Sequence, residues 1–307
     1  MTPVTQLTGK TPAEPQFSSL DQHLRLKMRG FVDLFISPLY KEMIRHTTMS
    51  DLREAGVFPV VYYIDFESLP VPCNLWPHHL DYTMGLKRIS RPHKGLEGDL
   101  LVLDIAATLA GRKSSPNPDS LWLSPQAENP EIPKAVARVV QVLTRPLAPP
   151  AERSVTRLPD GMRLFEEQPW EGVFPTAEVL STPPQGVPLT VDHSPPKPDG
   201  VWGMADSDPN QHVNVNSYVL GMEDLFSRLV EQGGFSQSDF HIRRLEMVFK
   251  KPFFVGDRYS LRGRLYTGER GALLLGDYHT TDRNGQTDPR PAVSLRLTGE
   301  PQPGPPP

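Results

Sequence analysis

The chain of 307 residues has a single cysteine, Cys73. One thiol excludes an internal disulfide framework and a zinc site built on several cysteines. No stretch approaches the ~18 consecutive apolar residues of a membrane span. The first residues, MTPVTQLTGKTPAEPQF, lack the apolar core of a secretory signal. Charge of neither sign dominates, with 32 Lys and Arg against 36 Asp and Glu, so no nucleic-acid footprint stands out. Gly-x-Ser-x-Gly, phosphate-loop and dinucleotide fingerprints are missing, which leaves serine-hydrolase, nucleotide and redox chemistry without support. These absences describe a soluble, cytoplasmic chain with no nucleic-acid partner and no membrane span.

Proline, in contrast, is abundant at 35 residues and clusters in RPLAPPAER (145–153), STPPQGVPLTVDHSPPKPDG (181–200) and PQPGPPP (301–307). Proline fixes φ and removes a donor, so such clusters punctuate a fold. They divide the chain into an N-terminal extension (1–35), a first half (36–150), a connecting segment (151–198), a second half (199–300) and a disordered tail (301–307). The connecting segment contains GMRLFEEQPWEGVFPTAEVL. It is too apolar for a free tether and is expected to pack across one half.

The halves look alike. GVFPVVYYIDFESL (56–69) matches HVNVNSYVLGMEDL (212–225) at Val57/Val213, Tyr62/Tyr218, Glu67/Glu223 and Leu69/Leu225, all at a spacing of 156 residues. RPHKGLEGD (91–99) answers KPFFVGD (251–257). An internal duplication follows, each copy a helix and then strands. In the second half Val219, Met222, Phe226, Leu229 and Val230 recur at helical spacing, and Gly233-Gly234 supplies the stop. The first helix is expected to end at Leu69-Pro70. RYSLRGRLY (258–266) alternates as a strand, with Tyr259, Leu261 and Leu265 on one side and Arg258, Ser260, Arg262 and Arg264 on the other. IRRLEMVF, ALLLGDYHTT and AVSLRL are further strands, as are YTMGLKRIS, LLVLDIAATL, SLWLS and AVARVVQVL in the first half.

The densest chemistry is DSDPNQHVN (206–214). Asp206, Asp208 and Asn210 fit the first, third and fifth positions of a calcium loop. The sixth and twelfth then hold Gln211 and Ser217 where Gly and Glu are needed, so calcium fails. Asn214 or Asn216 suits a helix cap, and Asp208 suits the positive helix end. Capping leaves the combination of acid, amide and imidazole unexplained. A carbonyl at the helix start would meet free N–H groups, while a neighbouring carboxylate attacks it or takes a proton from water. Asp208 is the candidate for that role, with His212 orienting the water or shuttling its proton and Asn210 holding the water or the carboxylate. Glu223 lies on the stripe Val219–Glu223–Phe226–Val230, where a carboxylate is desolvated and its pKa raised.

The motif, the helix after it and the strands beyond make the chain resemble the hotdog thioesterases, above all the acyl-carrier-protein thioesterases, whose motif reads D-x-D-x-N-Q-H-V-N, and 4-hydroxybenzoyl-CoA-thioesterase-like proteins. The resemblance implies an α+β fold of two fused hotdog domains, each a long helix wrapped by antiparallel sheet, forming an intramolecular pseudo-dimer. It implies an acyl-thioester hydrolase with Asp208, His212, Asn210 and Glu223 as catalytic residues; some related enzymes carry an acid fifteen positions after the motif Asp, as Glu223 is. Asn214, Tyr218, Glu67, Arg243 and Lys250 are the substrate-binding candidates. No cofactor or metal is implied beyond the phosphopantetheine or coenzyme A that carries the substrate. The partner is an acyl carrier protein or a coenzyme A thioester, and a homodimer of double hotdogs is compatible. At a spacing of 156, Leu52 stands for Asp208 and Gly56 for His212, so one site is expected, in the second half. A dehydratase or cyclase acting on a carrier-bound chain, and a non-catalytic acyl-binding protein, are the alternatives.

Overall fold

The computed structural model describes residues 5–21, 24–46, 49–90, 99–115, 117, 128–149, 152–158, 165–195, 197–208, 211–236 and 240–301. The first part of the chain forms β1 (Leu7–Ala13), α1 (Met28–Phe31), a π turn (Val32–Ile36) running into α2 (Ser37–His46), α3 (Met49–Glu54), β2 (Phe58–Ser68), β3 (His78–Ile89), β4 (Leu100–Arg112), β5 (Glu131–Thr144) and β6 (Glu167–Pro169). The second forms α4 (Ala177–Leu180), β7 (Leu189–His193), β8 (Gly200–Val201), α5 (Val215–Gln232), β9 (Phe240–Phe249), β10 (Arg258–Gly268), β11 (Gly271–Thr281) and β12 (Val293–Pro301). The chain divides into two compact units. One comprises residues 1–26, 33–64 and 69–174; the other comprises 27–32, 65–68 and 175–307.

In the first unit the strands run in the order β1-β3-β4-β5-β2, with β6 added beside β3. The ladders β1–β3, β3–β4 and β4–β5 are antiparallel. In the second unit the order is β9-β12-β11-β10-β7, with β8 beside β10, again antiparallel throughout. The expected alternation of β10 holds only in part: Leu261 and Leu265 are buried and Arg258, Arg262 and Arg264 are not, but Ser260, expected on the exposed side, is buried and Tyr259 is only half-buried.

The second unit shows most plainly why these residues make a helix wrapped by a sheet. α5 buries Tyr218, Val219, Met222, Leu225, Phe226, Leu229 and Val230, a stripe at three- and four-residue spacing. Burying each such side chain contributes roughly 1.5–3 kcal/mol. The packing requires missing side chains. A Cβ on Gly276 of β11 would lie 2.4 Å from Met222 Cε, and one on Gly221 of α5 would lie 2.2 Å from the Tyr278 hydroxyl. That hydroxyl donates to the Tyr218 carbonyl at 2.9 Å.

The structure overturns the helix expected at 56–69: the segment is β2. Val60, Val61, Tyr62, Tyr63, Ile64 and Phe66 are β-branched or aromatic, and Ile64, Phe66 and Ser68 are buried while Asp65 and Glu67 are less so, the period of two that defines a strand. The helix of the first half lies earlier, over 28–46, inside what was expected as an extension and beyond its end at residue 35. Pro38 does not prevent it, because the π turn precedes the proline and re-phases the backbone hydrogen bonds. The spacing-156 duplication therefore pairs a strand with a helix and is not the repeat of this fold. The Gly-Asp match fails too. Asp99 and Asp257 each precede a strand, but β4 follows Asp99 and β10 follows Asp257, and in the two strand orders β10 holds the place of β3, not of β4. The connecting segment carries β6, α4 and β7. SLWLS (120–124) and the tail after Pro301 lie outside the described residues.

Candidate active site

DSDPNQHVN is a hairpin leading into a helix. Ser207 and Val213 form an antiparallel bridge. Asp208 N–H donates to the His212 carbonyl at 2.9 Å, and Gln211 N–H donates to the Asp208 carbonyl at 2.9 Å. Gln211 closes the turn at φ 67°, a left-handed conformation that a non-glycine residue adopts only where its surroundings hold it. The Asp208 side chain accepts the His212 N–H at 3.3 Å. The four-residue spacing thus brings acid and imidazole to opposite sides of one narrow neck. Both are half-buried, so they reach solvent.

The hairpin is fixed on both limbs. Val213 N–H donates to the Phe253 carbonyl at 2.9 Å, and the His212 ring sits edge-on to Phe254 with centroids 5.2 Å apart. On the other limb, Trp202 stacks on Tyr259 at 4.2 Å and meets Tyr218 edge-on at 5.3 Å. Asp206 accepts the Gly203 N–H at 2.8 Å. Asn214 is the N-cap of α5: its Oδ1 accepts the Ser217 N–H at 3.0 Å and its Nδ2 donates to the Asp206 carbonyl at 2.8 Å. The cap ties the hairpin to the helix start, where the first-turn N–H groups lack intrahelical acceptors. Asn216, in that turn, has a buried Oδ1 with no hydrogen-bond partner.

The other candidates are placed elsewhere. Asn210 lies outside the described residues. Tyr218 is 2% exposed, and burial pushes its phenol well above the usual range; it packs under the hairpin. Glu67 is at the end of a strand, not on a helix as its pairing with Glu223 implied, and its carboxylate accepts from Arg243 at 2.7 Å. Arg243 also donates to Glu300, so its guanidinium is engaged by two acids. Lys250 pairs with Glu178 at 3.2 Å. Glu223 is half-buried, and burial raises its carboxyl to about 7 against the opposing effects of Arg29 and Lys27 and of the Met28 backbone. Lys27, Met28 and Arg29 are neighbours of this acid that the sequence reading assigned to an extension. Met28, Phe31, Phe35, Leu39 and Met43, at helical spacing and all buried, were the signal available. Among the described residues no group of three His, Cys, Asp or Glu gathers as a metal site, and no helix is long and apolar enough to cross a membrane.

No sequence-family model matches the chain, and no curated protein does. Solved structures do. A Lactobacillus plantarum protein assigned as an oleoyl thioesterase superposes with a TM-score of 0.62 at 12% identity, over 97% of each chain. The fold is a double hotdog. An acyl-ACP thioesterase from Bacteroides thetaiotaomicron gives a TM-score of 0.56 at 14% identity, covering 95% of this chain and 98% of its own. The 12:0-ACP thioesterase of Umbellularia californica gives 0.54 at 11% identity, covering 96% and 98%. Both units of this double hotdog are thus accounted for in single chains of matching length.

Proposed function

We propose that this double hotdog hydrolyses acyl thioesters carried on an acyl carrier protein or on coenzyme A. The observation that carries the reading is the hairpin at the start of α5, which joins Asp208 to His212 beside the first turn of the helix. A thioester carbonyl set there has its developing negative charge stabilised by the first-turn amides. Asp208 takes a proton from water as the water oxygen bonds to the carbonyl carbon, or attacks that carbon itself. Collapse of the tetrahedral species breaks the C–S bond, and protonated His212 gives its proton to the departing thiolate. On the general-base route the proton held by Asp208 returns to His212; on the nucleophilic route water then hydrolyses the acyl–Asp208 anhydride to free acid and carboxylate. Asn210, on the same loop, positions the water. The structural neighbours, an oleoyl thioesterase and two acyl-ACP thioesterases by description, support this reaction class.

Incubation with a panel of acyl thioesters, following free thiol and acyl mass together, tests the reading. Free thiol with the matching carboxylic acid is expected. Altered acyl mass without thiol would replace hydrolysis by dehydration or cyclisation, and no change in either would leave a binding protein.

A further inference from the structure

Three histidines of this chain are held by a ring nitrogen. His78 Nδ1 lies 2.5 Å from the Trp76 carbonyl, His279 Nδ1 lies 2.8 Å from the Asp288 carbonyl, and His79 Nε2 lies 3.2 Å from the Asp81 carboxylate. Such a bond fixes the direction of the ring and the nitrogen that carries the proton. His212 is held differently. Among the described residues its ring nitrogens have no hydrogen-bond partner. What its ring meets is the ring of Phe254, with centroids 5.2 Å apart and an interplanar angle of 74°, the edge-to-face geometry that aromatic pairs favour. The contact is built by backbone. His212 and Phe254 form an antiparallel bridge, and the next amide, Val213 N–H, donates to the Phe253 carbonyl at 2.9 Å.

Phe254 is pinned in place although it adds little to the core. It is 45% exposed, while Phe253 beside it is buried. It opens the turn 254–257. Asp257 N–H donates to the Phe254 carbonyl at 3.1 Å, and the Asp257 carboxylate accepts the Phe254 N–H at 2.9 Å. Gly256 stands third in the turn at φ 91°, a left-handed conformation that glycine enters without a Cβ clash. Trp202 ties the turn down twice: its carbonyl accepts the Gly256 N–H at 2.9 Å, and its N–H donates to the Asp257 carbonyl at 3.0 Å. The Trp202 side chain is buried and stacked on Tyr259. Support therefore runs from a buried indole through a fixed turn to a half-exposed phenyl ring, and from there to the imidazole.

We propose that Phe254 is the positioning residue of His212. Its ring does for this imidazole what a carbonyl or carboxylate does for the other three, and it leaves Nδ1 and Nε2 open. An imidazole tied by one nitrogen must release and regain its proton at the other. His212 can give a proton to the departing thiolate from one nitrogen and regain one at the second without turning over. This role rests on the thioesterase reading for its kinetic test, not for the ring contact.

Two measurements on the full chain test it. The first is turnover of one acyl thioester by Phe254→Ala, Phe254→Tyr, His212→Ala and the double variant of Phe254→Ala with His212→Ala, each checked for folding by circular dichroism. Phe254→Ala is expected to lower kcat by about 10–100-fold with KM little changed, the scale of a reacting group misplaced by roughly 1 Å. Phe254→Tyr keeps the ring and should stay near the wild type. In the His212→Ala background, Phe254→Ala should cost nothing further, since no imidazole is left to place. Three results would overturn the role: an unchanged kcat in Phe254→Ala, a rise in KM alone, which makes Phe254 a substrate contact, or an equal loss in both backgrounds, which makes it a support of the fold. The second measurement needs no substrate. In proton NMR the His212 ring should show Overhauser contacts to the Phe254 ring, with a ring-current displacement that is lost in Phe254→Ala and kept in Phe254→Tyr. Absence of that contact in the wild type would overturn the role by itself. A wild type with no turnover on any thioester would reject the hydrolase reading and leave the ring contact to decide this one.

Discussion

Each half brings an imidazole together with an acidic group, and only one arrangement can work. In the first half, Cys73 Sγ lies 3.4 Å from His78 Nε2, and His78 Nδ1 donates to the Trp76 carbonyl at 2.5 Å. Lys134 donates to the Pro72 carbonyl at 2.6 Å close by. By atom types and distance this is a nucleophile–base pair. All three side chains are buried, however: Cys73 0%, His78 4% and Lys134 1% exposed. Burial pushes the thiol up to about 12 and the imidazole down to about 4. Both stay neutral, so the thiol has neither a charged form nor a substrate to attack. In the second half, Asp208 and His212 are joined through backbone rather than side chain, and both reach solvent. Proximity is therefore a poor guide to a site. Access to water separates the two pairs.

That contrast can be broken by mutation, beginning with the largest effect. Asp208→Asn is expected to lower kcat by about 10²–10⁴-fold, the range for a removed general base, with circular dichroism unchanged; His212→Ala should fall toward the lower end of that range. Gly111→Ala addresses the buried pair, because its Cβ would stand 2.2 Å from His78 Cδ2. It should destabilise the fold by about 1–3 kcal/mol through overpacking, measured by urea unfolding, with turnover per folded molecule unchanged.

Two pH dependences of opposite sign sharpen the comparison. His78 is depressed from 6.5 to about 4, so between these values the unfolded chain is protonated and the folded one is not. Its contribution is complete above pH 6.5 and is lost as pH falls toward 4. Glu223 is raised from 4.5 to about 7, so the folded chain holds a proton that the unfolded chain releases. Its contribution is complete below pH 4.5 and is lost as pH rises through 7. Between pH 5 and 6.5, His78→Gln should make the stability–pH slope more negative and Glu223→Gln more positive. Slopes that move in the same direction would reject the assignment whose predicted sign is missed. The smallest effect is kinetic: Cys73 in the native protein at pH 8 should react with a thiol reagent only as fast as the chain opens, and addition of urea should release it.

The second half was the more legible in sequence. The helix over 215–232 and its Asn214 cap follow from local rules that tertiary structure did not override, and the alternation of β10 does so except at Ser260. The first half was misread for two physical reasons. Val57, Tyr62, Glu67 and Leu69 belong to residue types that serve both helices and strands, so four matches at a spacing of 156 carried no conformational information. The bridges Leu20–Leu26 and Ser207–Val213 share a hydrogen-bond pattern and a left-handed residue, Leu24 and Gln211, at a spacing of 187, while the side chains at that spacing agree at Asp21/Asp208 and Val32/Val219 and at little else. A backbone that is held while its side chains change is invisible to residue matching. The partners of Glu223 were hidden for the same reason, since Lys27 to Arg29 lay in a stretch that no motif marked.

The central claim is that the half-exposed Asp208–His212 pair, and not the buried Cys73–His78 pair, cleaves a thioester. Free-thiol release by Asp208→Asn and by Cys73→Ala, measured side by side on one acyl thioester, tests it most directly. The account predicts that Cys73→Ala releases thiol at the wild-type rate while Asp208→Asn releases almost none. Wild-type release by a folded Asp208→Asn variant, with release lost in Cys73→Ala, would contradict it.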